Sequence, residues 1–167
     1  MQRVLVLGCS GAGKTTLTLA IGQKLGLPVI HLDAHYWNPG WVDTPADEWP
    51  KKVSKLVEGE RWVMDGNYSN TLDMRLERCD TAIFVDRSRF TCLWRVLKRR
   101  LIFHGRTRPD LPAGCPEQMD WEFLCWVWKY PTRVRPITLT KLRERSEGKR
   151  VVFLRSDQEI ARFIAEL

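Results

Sequence analysis

Residues 8–15 read Gly-Cys-Ser-Gly-Ala-Gly-Lys-Thr, directly behind the apolar run Val4-Leu5-Val6-Leu7 and directly ahead of a helix-like stretch. A strand, a glycine loop of the form Gly-x4-Gly-Lys-Thr and a helix, in that order, leave few folds open. Gly8, Gly11 and Gly13 permit a tight backbone whose successive N–H groups turn inward, as a cradle for phosphate oxygens. The helix that follows brings its positive end to the same place. In that geometry Lys14 reaches the β- and γ-phosphates, and the Thr15 hydroxyl completes the shell of a Mg²⁺ ion. Ser10, Ala12 and Thr16 fill out the cradle. The pattern predicts binding of a nucleoside triphosphate with Mg²⁺. No Asn-Lys-x-Asp guanine signature occurs, which favours ATP by default.

The 167 residues suit one domain, and we expect a single unit over 1–167. A hydrophobic share of 44% and a charged share of 28% are those of a soluble globular protein. No apolar run approaches the ~20 residues of a membrane span, and no signal peptide precedes the first strand. Five cysteines (Cys9, Cys79, Cys92, Cys115, Cys125) form no C-x-x-C pair, so the expected setting is the reducing cytoplasm. The formal charge of +7 favours polyanionic partners, nucleotide or nucleic acid.

Apolar runs separated by helix-period stretches predict strands at Arg3–Leu7, Pro28–Leu32, Trp62–Asp65, Thr81–Asp86 and Val151–Leu154. Five such strands with helical crossovers imply an α/β fold, a parallel sheet covered on both faces. Thr44 ahead of Pro45 is a candidate helix N-cap, and Ser156 with Glu159 a capping box. The segment His104–Gln118 has little periodicity, and a loop of that length in a compact domain is expected to be functional, as a lid.

Ligands of a parallel sheet collect outside the carboxyl ends of its strands, and Asp33, Asp65 and Asp86 end three of them. Carboxylates there can hold Mg²⁺ through water or orient an attacking hydroxyl. Arg87, Arg89, Arg95, Lys98, Arg99, Arg100, Arg106 and Arg108 stand in a stretch to Pro109 that contains no acid. Guanidinium groups neutralise charge on a transferring phosphoryl group, although a solvated basic face is the plainer reading for Lys98 and Arg100. Of the eight tryptophans, Trp62 and Trp94 are expected in the core. Trp37, Trp41, Trp49, Trp121, Trp126 and Trp128 flank the irregular segments, where they can line a pocket.

The order of these motifs resembles the adenylate kinase and shikimate kinase group of small P-loop kinases. Met64-Asp65-Gly66 resembles that group's Asp-Gly element, and Arg95-x3-Arg99-Arg100 with Gly105-Arg106 resembles the entry into an adenylate kinase lid. More narrowly, Gly8–Thr15, His31-Leu32-Asp33-Ala34, Pro39-Gly40-Trp41, Asp65-Gly66-Asn67-Tyr68, Arg106-Thr107-Arg108-Pro109 and Leu154-Arg155-Ser156 resemble the bacterial DNA topology modulation proteins. The resemblance implies a three-layer P-loop NTPase fold, nucleoside/shikimate kinase-like, with a lid at about 103–118 and an acceptor-binding segment at about 33–58. It implies Lys14 and Thr15 on phosphate and Mg²⁺, Asp65 on a metal-bound water, Arg95 and Arg155 near the nucleotide, and Arg99, Arg106 and Arg108 near the transferred group.

One departure bears on the acceptor. No arginine occurs between Val4 and Glu60, and Asn67-Tyr68-Ser69 stands where adenylate kinases carry Phe-Pro-Arg. A nucleoside monophosphate would lose much of its charge pairing. Asp33, His31, His35, Tyr36, Trp37 and Trp41 instead suit a hydroxyl-bearing or aromatic acceptor, with Asp33 as proton acceptor; Arg75 or Arg87 could still swing in. The sequence thus predicts an ATP- and Mg²⁺-dependent small-molecule kinase that acts on a hydroxyl- or phosphate-bearing acceptor, monomer or homodimer, with no membrane contact. The second reading is an ATP-dependent regulator that binds DNA or RNA through the Arg87–Arg108 strip.

Overall fold

The computed structural model describes residues 1–108 and 110–167; Pro109, within the predicted lid, lies outside the described residues. Five strands form one parallel sheet: β1 (Arg3–Gly8), β2 (Val29–His31), β5 (Trp62–Asp65), β6 (Thr81–Val85) and β7 (Arg150–Leu154), in the order β2-β5-β1-β6-β7. A separate hairpin pairs β3 (Trp37–Asn38) with β4 (Val42–Asp43). The β1 side chains Val4 to Leu7 are at most 1% exposed, which explains a continuous apolar run where a one-sided sheet would alternate.

Helices cover the sheet. α1 (Lys14–Leu25) packs with α7 (Asp157–Ala165), while α4 (Leu72–Arg78) and α5 (Arg89–Ile102) pack against the long α6 (Trp121–Glu144). The remaining helices are α2 (Leu32–Tyr36) and α3 (Trp49–Val57). The fold predicted from sequence is the fold observed. The predicted capping box forms: Ser156 Oγ accepts from Glu159 N at 3.0 Å, and Glu159 Oε2 accepts from Arg155 N at 2.7 Å.

Three local expectations are corrected. The second strand stops at His31, and Asp33 lies in the first turn of α2 rather than at a strand end. Thr44 caps no helix: its hydroxyl donates to the Tyr36 carbonyl at 2.6 Å, and α3 begins at Trp49 with Pro50 in its first turn. Trp62 is buried as expected, but Trp94 is 66% exposed, on a face of α5 with Phe90, Leu97 and Leu101. Among the described residues no helix is long and apolar enough to cross a membrane.

Candidate active site

The loop between β1 and α1 lies at the centre of the sheet's carboxyl edge, with β5 on one side and β6 on the other. Gly11 has φ +78°, and its Cα sits so close to the Cys92 carbonyl on α5 that a Cβ would overlap that oxygen. Gly13, at φ 104°, precedes α1, and no side chain caps the helix. Its first N–H groups therefore face the loop without a protein side-chain acceptor. Lys14 Nζ folds back to donate to the Cys9 carbonyl at 3.0 Å, which holds the ammonium over the loop. This cradle, its uncapped helix end and its ammonium fit the phosphates of a nucleotide.

Beside it, parallel pairing sets His31 opposite Asp65. His31 Nδ1 lies 3.0 and 3.1 Å from the two Asp65 oxygens. Burial pushes the imidazole pKa down, but the hydrogen bond and charge of Asp65, helped by Asp110 and Asp33, outweigh it, and the net shift is upward. Asp33 accepts from the Tyr68 hydroxyl at 2.7 Å. Burial, then the Asp33 charge, raises the Tyr68 phenol far above its ordinary value and keeps it a neutral donor.

Tyr68 holds φ 30° and Trp41 φ 62°, the non-glycine residues with positive φ among those described, and both line the cleft. Such conformations persist only where the surroundings enforce them. At Tyr68 the enforcing group is Arg75. Its guanidinium is fully buried and donates to the carbonyls of Thr71, Gly66, Asn67 and Tyr68, the last at 2.8 Å. Burial lowers its pKa to about 9, so it stays charged at neutral pH.

The predicted lid segment lies over the cleft and touches the β3–β4 hairpin. Gly40 N donates to the Gly114 carbonyl at 2.9 Å, and Trp41 Nε1 to the Pro116 carbonyl at 2.9 Å. Under this roof Glu117, 3% exposed, pairs with Arg99 Nε at 2.8 Å and with Arg108 Nε at 2.7 Å. Arg108 also donates to Asp110 at 2.9 Å, and Asp110 Oδ2 lies 3.4 Å from Thr15 Oγ1. The segment carrying Arg108 and Asp110 is thereby linked to the loop residue expected to hold Mg²⁺. A hydroxyl with Asp65 and Asp110 in the same cleft is a hard oxygen set that suits that ion.

The result is one cavity of about 1150 Å³ that brings together Ser10, Gly11, Gly13, Lys14, Thr15, Thr16, Asp33, Asp65, Arg95, Arg99 and Arg108. Gly8 and Ala12 support the cradle from behind, the Ala12 carbonyl accepting from Arg95 at 3.3 Å. Other sequence candidates fall outside. Arg106 and Arg155 are exposed and do not line the cavity. Asp86 is held by Arg135 at 2.8 and 2.7 Å and does not line it either. Arg75 and Arg87, the two guanidinium groups that could have swung in, are engaged, Arg87 by the Arg155 carbonyl and Asp157. Trp37, Trp41 and Trp126 line the cavity, whereas Trp49 is in the core and Trp121 is 77% exposed.

Glu117, Asp110 and Asp157 carried no motif. Asp110 alone had a positional signal, as the first acid after the basic stretch; Glu117 and Asp157 had none. Asp157 takes Arg95 at 2.8 Å, and that guanidinium hydrogen bond holds its carboxyl below the usual range.

No protein-family model and no curated protein matches the sequence. Among solved structures, the chain is similar to a shikimate kinase from Acinetobacter baumannii in complex with shikimate: 16% identity, 99% of this chain, 89% of that one, TM-score 0.60. It is also similar to a shikimate kinase from Bacteroides thetaiotaomicron: 19% identity, 99% and 95% coverage, TM-score 0.54. A gluconokinase from Sinorhizobium meliloti 1021 aligns at 19% identity over 99% and 88%, with TM-score 0.51. At such identities the likeness is one of architecture, and the chain has the α/β fold of the small P-loop kinases.

Proposed function

We propose that the protein is an ATP- and Mg²⁺-dependent kinase that phosphorylates a hydroxyl group of a small molecule. The supporting observation is the single cavity in which the Lys14–Thr15 loop, the Asp33 and Asp65 carboxylates and the lid-side guanidinium groups of Arg99 and Arg108 converge. Lys14 and the loop N–H groups bind the phosphates of the donor. Thr15 and Asp65 are the residues that would hold Mg²⁺, which would neutralise phosphate charge. Asp33 orients the acceptor hydroxyl and takes its proton as the new oxygen–phosphorus bond forms. The bond between the γ-phosphorus and its bridging oxygen breaks, and ADP leaves. Arg99 and Arg108, preorganised on Glu117, stabilise charge on the oxygens of the transferred group, and Arg95 borders the nucleotide. Arg106 and Arg155 take no part in this arrangement.

The architecture of the solved small-molecule kinases supports the same reading. The alternative, a regulator docking nucleic acid on the basic strip in line with the resemblance to DNA topology modulation proteins, has less support. Arg87, Arg95, Arg99 and Arg108 are engaged by Asp157, Glu117 and Asp110, and Arg89 stacks over Trp128 at 4.8 Å from the ring centroid. These pairings offset part of the positive charge that a phosphate backbone would need.

The test is thermal unfolding with a non-hydrolysable ATP analogue and Mg²⁺, followed by addition of candidate acceptors. Nucleotide should raise the melting temperature, and an acceptor should raise it further. Unchanged unfolding with nucleotide at a millimolar concentration would refute the reading.

A further inference from the structure

We propose that the acceptor carries no carboxylate or phosphate: it is an uncharged polyol or aromatic alcohol, held against Trp37, Trp41 and Tyr68 and selected by charge against anions. This deepens the phosphoryl-transfer reading and rests on it. The cavity lining includes Asp33, Asp65, Asn67, Tyr68, Ser69, Trp37 and Trp41, which we assign to the acceptor end. Among the described residues, each guanidinium group that lines the cavity is paired with a carboxylate, and Lys14 Nζ is held over the phosphate loop by the Cys9 carbonyl. His31 is bound to both oxygens of Asp65. Lys141, which reaches the Ser69 carbonyl at 3.3 Å, is paired with Asp73 at 2.5 Å. Arg75 lies beneath, fully buried, with its donors on four carbonyls.

The cleft guanidinium groups, Arg95, Arg99 and Arg108, pair with Asp157, Glu117 and Asp110. An anionic acceptor would thus meet the Asp33 carboxylate without a counterion of its own. Asp33 has one oxygen on Tyr68, and its Oδ2 has no hydrogen-bond partner among the described residues, which leaves it for a hydroxyl. Held at φ values above zero, Trp41 and Tyr68 present fixed aromatic surface at this end. A like charge about 5 Å from Asp33, at an effective dielectric of about 20, costs on the order of a hundredfold in binding.

The test uses the whole protein with Mg²⁺ and γ-³²P-labelled ATP. A deproteinised cell extract is first split on a strong anion exchanger into unretained and retained small molecules. Label should pass to a compound in the unretained fraction; transfer confined to the retained fraction overturns the inference and leaves the kinase reading intact. No transfer from either fraction, with nucleotide binding present, refutes phosphoryl transfer itself. Sorbitol against gluconate gives a defined pair, for which the neutral compound should be the better acceptor by roughly a hundredfold. Ser69→Arg should narrow that ratio at least tenfold by supplying the missing cation, with nucleotide-induced stabilisation as the folding control. An unchanged ratio in a variant that still binds nucleotide also overturns the inference.

Discussion

Tyr68 donates a 2.7 Å hydrogen bond to Asp33 across 35 positions of sequence, from a backbone that Arg75 holds at positive φ. A buried arginine, a strained tyrosine and an aspartate at the mouth of the acceptor end form one chain of support. The phenol restrains the carboxylate and leaves its second oxygen available.

That chain predicts unequal losses along it. Asp33→Asn should lower kcat by about 10² to 10⁴ while nucleotide still stabilises the fold. Tyr68→Phe keeps the carboxylate and should lower kcat by about ten- to a hundredfold, the scale of one hydrogen bond to a charged group. Steady-state kinetics with the best acceptor measures both.

Removing Arg75 should unfold more than it disables. Arg75→Met leaves the carbonyls of Gly66, Asn67, Tyr68 and Thr71 without their donor, at a cost of about 3–5 kcal/mol. Urea denaturation should show the midpoint fall. In the surviving folded fraction KM for the acceptor should rise more than that for ATP.

Lys14→Ala should abolish the nucleotide-induced rise in melting temperature with little change in the apo value. Its ammonium contacts the Cys9 carbonyl and is otherwise free for ligand. Gly11→Ala should do the opposite and destabilise the fold itself by about 1–3 kcal/mol, because the new Cβ meets the Cys92 carbonyl at a left-handed φ.

The His31–Asp65 pair gives a pH signature. The folded-state imidazole pKa is above its ordinary 6.5, so its stabilisation is complete below 6.5 and fades as pH rises through the folded value. His31→Gln should therefore cost about 1–2 kcal/mol near pH 5.5 and much less near pH 9. Chemical denaturation at the two pH values measures the difference, and an equal loss at both would contradict the pairing.

Much of this was legible in sequence where the chain signals locally. The strand Trp62–Asp65 and the cap Ser156 stand as expected, because burial pattern and capping are encoded within a few residues. Arg99 and Arg108 reach the cleft as anticipated. Arg106 is exposed and does not, and a basic run carries no signal for which side chains face in. Asp86 shows the same limit: its position at the sheet edge was correct, but Arg135, 49 positions away, engages both oxygens.

The sequence by itself determined the glycine-loop end of the cavity, since the glycine spacing, Lys14 and Thr15 form a cradle from contiguous backbone. Tertiary structure alone decided the opposite end, around Asp33 and Tyr68. There, the burial of Arg75 under Tyr68, the pairing of Glu117 with Arg99 and Arg108, and the hydrogen bond from Trp41 to the Pro116 carbonyl set which charges remain free. Free charge depends on partners brought together by folding, and residues distant in the chain give no local pattern of it.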